Sequence, residues 1–115
     1  MAQQSESEPL HSINFTVSTQ AFLILCRLFD GCYDDLKQQA ELASITEETA
    51  QVLLAHVEQL QAEQKPPAQI ELTVSLAQSF FLRKLLREMF LRLPKEEQES
   101  KNGQWLLENL HALGG

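Results

Sequence analysis

The pattern I-x-x-T-V-S occurs twice in this chain, at positions 13–18 and 70–75. Apolar and polar residues alternate in each copy, which is typical of a short strand with one buried face, and the final serine can cap a helix that follows. We therefore predict two short strands, at 13–17 and 70–74, each leading directly into a helix. An offset of 57 residues aligns the copies, which fits either an internal duplication or two independent joins with similar caps.

The segment after the first strand has the composition of a buried helix. It reads AFLILCRLFDG from Ala21, and Gly31 is suited to end it because glycine adopts the left-handed conformation without strain. A second helix is predicted at 33–43, where Asp34 and Asp35 occupy the first turn and suit the helix dipole.

Clearer start and stop signals bound the remaining helices. Ser44 or Thr46 can cap a third helix that runs to about Gln64 and ends before a pair of prolines. Further helices are predicted at 75–93 and in the last segment, which ends at Gly114. The fold class is therefore mostly α, with α+β as the alternative: a small bundle of four to five helices with two short strands.

Length and composition suit one domain, which we place at 10–113. The first nine residues are rich in Gln, Ser and Glu and are predicted to form a flexible tail at 1–9. The acidic N-terminus lacks the basic start and apolar run of a secretory signal, so a cytoplasmic location is expected. The longest apolar run, at 21–26, is far shorter than the roughly 20 residues of a membrane span.

Positive charge is concentrated in one helix of an acidic chain. The formal net charge is −7, yet residues 83–95 hold five of the nine basic residues and one acid. On a helical wheel the apolar positions 82, 85, 86, 89 and 93 share one face, and the bases lie opposite with two apolar residues among them. The candidate partner-binding residues are Phe80, Arg83, Lys84, Arg87, Leu91 and Arg92.

Two interpretations of this basic face stay open. It can lie beside the segment 30–63, which holds eight acids and one lysine, so that each side lowers the self-repulsion of the other. Alternatively it can bind another protein, because arginine and aromatic residues are enriched at the centres of protein interfaces.

The residue types that carry catalysis are scattered. The three histidines, His11, His56 and His111, have no metal-ligand spacing with each other or with Cys26 and Cys32. The sequence has no glycine-rich phosphate loop and no nucleophile elbow. We expect no enzyme activity, no metal site and no cofactor.

Size, acidity and the amphipathic helix favour a non-catalytic protein-binding function: an assembly factor, a chaperone-like adaptor or a regulator. The alternative is a transcription-regulatory or nucleic-acid-associated dimeric module, because a strand followed by two helices resembles ribbon-helix-helix DNA-binding proteins in outline. The net negative charge disfavours nucleic acid, since phosphate contacts need a positive surface. A homodimer is also predicted, because a single chain of 115 residues has few other residues with which to bury two edge strands and an apolar first helix.

Overall fold

The computed structural model describes residues 12–114 and is mostly helical. Its elements are, in chain order, β1 Ser12–Ser18, α1 Thr19–Gln38, α2 Ala43–Ala62, β2 Gln69–Ser75, α3 Leu76–Arg92, α4 Lys95–Gln98 and α5 Lys101–Ala112. Each strand leads directly into a helix, so the predicted fold class is confirmed. The tail predicted at 1–9 lies outside the described residues.

The two strands form one antiparallel ribbon within the chain. Phe15 lies opposite Leu72, and Ser12 lies opposite Ser75. The apolar side chains of the ribbon are buried, apart from Ile13, which is partly buried. The other face of the ribbon is polar and carries a 2.7 Å hydrogen bond that Thr73 donates to Asn14. The backbone N–H and C=O groups on the facing edges of the two strands thus bond to each other within one chain, without a second molecule.

The two strand-to-helix joins are capped in different ways. In α3 the Ser75 hydroxyl accepts from the Gln78 amide, and the Gln78 side chain accepts from the Ser75 amide at 2.9 Å, which completes a capping box. In α1 the corresponding position is Ala21, which has no group to return that bond. Glu108 of α5 accepts from the Ser18 amide at 2.6 Å instead and from the Ser18 hydroxyl at 3.0 Å.

Helix α1 continues through Gly31, so the predicted helix end there and the separate helix at 33–43 are wrong. The positive-φ glycine within residues 12–114 is Gly114, and Gly31 has ordinary helical geometry. The buried residues Leu25, Phe29 and Leu36 form one stripe that spans the glycine. Burial of side chains on both sides outweighs the roughly 0.5–1 kcal/mol that glycine costs inside a helix.

The start of α2 also differs from the predicted caps. The N-cap is Leu42, which makes no side-chain hydrogen bond to the helix, and Ser44 lies inside the first turn. Thr46 is completely buried, and Glu47 is bonded to α1 rather than to Ser44. Tertiary contacts therefore replace the local capping box that the sequence suggests.

Short helix α4 brings the chain back so that α5 packs on α1 and α3. Gly103 is buried under α4, where a Cβ atom would collide with the carbonyl oxygens of Glu97 and Gln98. Gly114 follows α5 with φ +92°, which confirms the predicted helix end.

The offset of 57 residues seen in the sequence also relates the two halves of the structure. It superimposes the bounds of β1 on those of β2 and the first residue of α1 on that of α3. The ribbon pairs Phe15 with Leu72, its own equivalent under this offset, so a pseudo-two-fold axis passes between them. The buried residues of α2 are Thr46, Thr49 and Leu53, and their equivalents in α5 are also buried: Gly103, Leu106 and Leu110.

Candidate functional site

The inner face of α3 anchors the helix to the core. Leu82, Leu85 and Leu86 are buried, and Met89 and Leu93 pack partly buried against them. This confirms the predicted apolar face. The opposite side of α3 consequently faces outward, with the candidate residues on it.

Three large apolar side chains are exposed along this outward side. Leu91 is 68% exposed, Phe80 52% and Leu76 42%. On an ideal helix they share an arc of about 100° with three basic residues. We call this surface the α3 stripe; its members are Leu76, Phe80, Arg83, Lys84, Arg87 and Leu91.

Leu76 was not among the residues predicted from the sequence. It follows the Ser75 cap directly and is the first residue of α3. Leu76 and Phe80 are four residues apart, about one helical turn, so the sequence spacing places both on the same side of α3.

Arg83 is half-buried and supports Phe80. Its guanidinium carbon lies 5.2 Å from the centroid of the Phe80 ring, a cation–π arrangement. Its Nε is buried without a hydrogen-bond partner in residues 12–114, and its Nη1 lies beside Gly114 at the end of α5. Arg83 therefore fills the seam between α3 and α5 and holds the aromatic ring in place.

Arg92 lies on the flank of α3 rather than on the stripe. Its Nη1 is 4.0 Å from the sulfur of Met89. The pKa of Cys32 in α1 is raised by burial and then by Asp35, while Arg92 acts in the opposite direction. The fold thus brings five of the six predicted residues into one surface and turns Arg92 towards α1.

The bases of the stripe are not neutralised by the acidic helices. Within residues 12–114 the ion pair is Lys37–Glu47 at 3.1 Å, which joins α1 to α2. Lys84 and Arg87 are exposed and form no ion pair with any described carboxylate. Their charge is available to a partner.

Glu47 is the centre of the polar contacts between α1 and α2. It accepts hydrogen bonds from Tyr33 at 2.5 Å, Lys37 at 3.1 Å and Gln51 at 3.2 Å. These bonds, that of Tyr33 first, lower the pKa of Glu47 to about 2. The carboxylate is therefore ionised at neutral pH.

Residues 12–114 contain no cluster of three or more His, Cys, Asp or Glu that could hold a metal ion. None of the helices in this part of the chain combines the length and apolarity needed to cross a membrane.

Comparisons with protein-family models, with curated proteins and with solved structures found no match to the chain.

Proposed function

We propose that this chain is a non-catalytic, cytoplasmic protein-binding protein, an adaptor or regulator, whose α3 stripe binds an acidic amphipathic segment of another protein. The observation that supports it is the row of exposed apolar residues Leu76, Phe80 and Leu91 with bases between them. Isolated exposed leucines are common on surfaces, but an aligned set rimmed by charge is typical of interaction sites.

The energetics of such a contact favour apolar anchors with a charged rim. Full burial of a leucine or phenylalanine side chain contributes about 1.5–3 kcal/mol. Since Phe80 is 52% and Leu91 68% exposed, covering both would contribute about 2–4 kcal/mol, against the roughly 8 kcal/mol of a micromolar complex. Lys84 and Arg87 would mainly speed association with an acidic partner and set its orientation. Arg83 already holds Phe80 in place, which lowers the entropy lost on binding.

The test is fluorescence anisotropy with a short labelled model helix made of leucine and glutamate. We expect the double variant Phe80→Ser with Leu91→Ser to weaken binding at least about tenfold, because both anchors are lost. Leu54→Ser removes a leucine of α2 that is 50% exposed, about as much as Phe80, and serves as the control, which should bind as the wild type does.

Affinity capture from lysate then extends the test to natural partners. Proteins retained by the wild type and by Leu54→Ser, but lost with the stripe variant, are the expected partners of α3. Equal capture by all three proteins, together with unchanged peptide affinity, would refute the assignment of the stripe.

Nucleic-acid binding is the alternative proposal, and the pseudo-two-fold ribbon is the observation that favours it. One chain supplies both strands of the ribbon, so the ribbon would not require a dimer. Its exposed side chains include Asn14, Thr16, Thr73 and Glu71, of which only Glu71 is charged. DNA affinity that falls about 10³–10⁵-fold between 50 and 200 mM salt would support this alternative over an apolar protein contact.

A further inference from the structure

A second apolar surface lies on the other half of the molecule, between α1 and α2. It is a cavity of about 390 Å³ open to solvent. We call it the α1/α2 groove, and its apolar and aromatic lining includes Cys26, Phe29, Tyr33, Ala50, Leu54 and Val57. A second hollow of about 670 Å³ shares Val57 with the groove and is lined also by Leu23 and Leu60.

The pseudo-two-fold symmetry explains why this groove is open. The equivalent seam in the other half lies between α3 and α5, where Arg83 extends across it towards Gly114. Under the offset of 57 residues the position of Arg83 is taken by Cys26, whose side chain is too short to fill the seam. Helix α2 also has 20 residues where α5 has 12, so the wall of the groove is longer.

Leu54 shows that the groove lacks a cover. The apolar residues at 50, 53, 54, 57 and 60 share one face of α2. Leu54 is one of them, yet it is 50% exposed while Leu53 is 4% exposed. Leu23, which lines the second hollow from α1, is 45% exposed. Apolar residues thus lie open to solvent on both walls.

The rim of the groove is acidic. Asp30 and Glu47 line it, and α2 contains three glutamates and no lysine or arginine. The one lysine of the segment 30–63, Lys37, pairs with Glu47 and neutralises it, which leaves the other seven acids of the segment without an ion pair among the described residues. An occupant that approaches this rim therefore gains from positive charge.

We propose that the α1/α2 groove is a docking site for a basic amphipathic helix of a partner protein. Leucine-sized anchors spaced at i, i+3, i+4 and i+7 would enter the two hollows, and flanking lysines or arginines would face Asp30 and the other acids of the segment 30–63 that form no ion pair with described residues. The site is separate from the α3 stripe and selects the opposite charge. With both sites occupied, the chain would bridge an acidic and a basic partner.

The probe is a labelled model helix of leucine and lysine, with a scrambled peptide of the same composition as its control. We expect the wild type to bind the amphipathic helix at least about tenfold more tightly than the scrambled one, because the apolar face must enter the groove. Leu54→Lys should abolish this preference, whereas Phe80→Ser should leave it unchanged. Equal affinity for the two peptides, or no effect of Leu54→Lys, would overturn the proposal.

Alkylation of Cys26 reports occupancy at the site itself. Burial raises the pKa of this thiol to about 12, so it reacts slowly, and Cys32→Ser removes the other cysteine of the chain. We expect saturating leucine–lysine helix to slow alkylation of Cys26 further, by at least about threefold, while the leucine–glutamate helix has no effect. Unchanged alkylation under saturating probe would place the peptide elsewhere and refute the site.

A second copy of the chain is the competing occupant, because its α3 stripe is itself basic and apolar. Light scattering over a range of concentrations tests this on the wild-type protein. A monomer supports a partner helix as the occupant. A dimer that both Leu54→Lys and Phe80→Ser dissociate would assign the groove to a second copy and overturn the proposal, while leaving the α3 stripe a protein-binding surface.

Discussion

Glu108 shows how a single distant side chain completes a local motif. Its carboxylate accepts from both the amide and the hydroxyl of Ser18, 90 residues earlier in the chain. The adjacent Asn109 is fully buried and donates to the carbonyls of Ala21 and Trp105, each at 2.9 Å. These two residues of α5 therefore hold the first turn of α1.

We expect Glu108→Ala to lower the free energy of unfolding by about 1.5–3 kcal/mol, the usual range for charge-assisted hydrogen bonds in part-buried positions. Urea denaturation followed by circular dichroism would measure it. Glu99→Ala is the matched control, because Glu99 is exposed and makes no side-chain hydrogen bond with the described residues. A cost below about 0.5 kcal/mol would mean that water replaces the carboxylate at the cap.

Glu47 gives the stability of the α1–α2 pair a pH dependence. Because its pKa falls from the usual 4.5 to about 2 in the folded state, its stabilising contribution is complete above pH 4.5 and is lost as the pH falls towards 2. We expect Glu47→Gln to be less stable than the wild type at neutral pH and the difference to shrink between these limits. Urea denaturation at several pH values tests this, with Glu48→Gln as the control, because Glu48 is exposed and makes no hydrogen bond to α1.

Helix boundaries show where local sequence signals were sufficient. Ser75 and Gln78 are three residues apart and form a complete capping box, so the start of α3 could be predicted within one residue. The start of α2 could not, because Glu47 is bonded to Tyr33 and Lys37 of another helix. The capping box that Ser44 and Glu47 could form is therefore replaced by a contact between two helices, which the sequence alone does not reveal.

Gly31 and Gly103 both lie in helices, but a larger side chain fits only at Gly31. A Cβ atom at Gly31 would meet no other atom within 4 Å, whereas one at Gly103 would collide with the carbonyls of α4. We expect Gly31→Ala to stabilise the protein by about 0.5–1 kcal/mol and Gly103→Ala to destabilise it by about 1–3 kcal/mol. Thermal unfolding of the two variants tests this, and destabilisation by Gly31→Ala would show that α1 bends or breaks at that position.

At the scale of the whole molecule, the sequence predicts the mostly helical class and both strands, because these depend on local periodicity. It also places Phe80 and Leu91 outside the core face of α3. The α1/α2 groove could not be predicted, because it forms only when α1 runs unbroken beside α2. The short side chain of Cys26 then leaves the groove open. The equivalent position in the other half is Arg83, whose long side chain occupies the corresponding seam.

The ribbon also has a consequence for the order of folding. It joins Asn14 to Thr73, which are 59 residues apart in the chain, so its closure carries a larger entropic cost than any helix or helical turn. The helices α1 and α2 can form from local contacts on a microsecond timescale, whereas the ribbon must wait for two remote segments to meet. The contact of Glu108 with Ser18 spans 90 residues and waits in the same way. We therefore expect the meeting of remote segments, in the ribbon and between α1 and α5, rather than the growth of the helices, to set the folding rate of this protein.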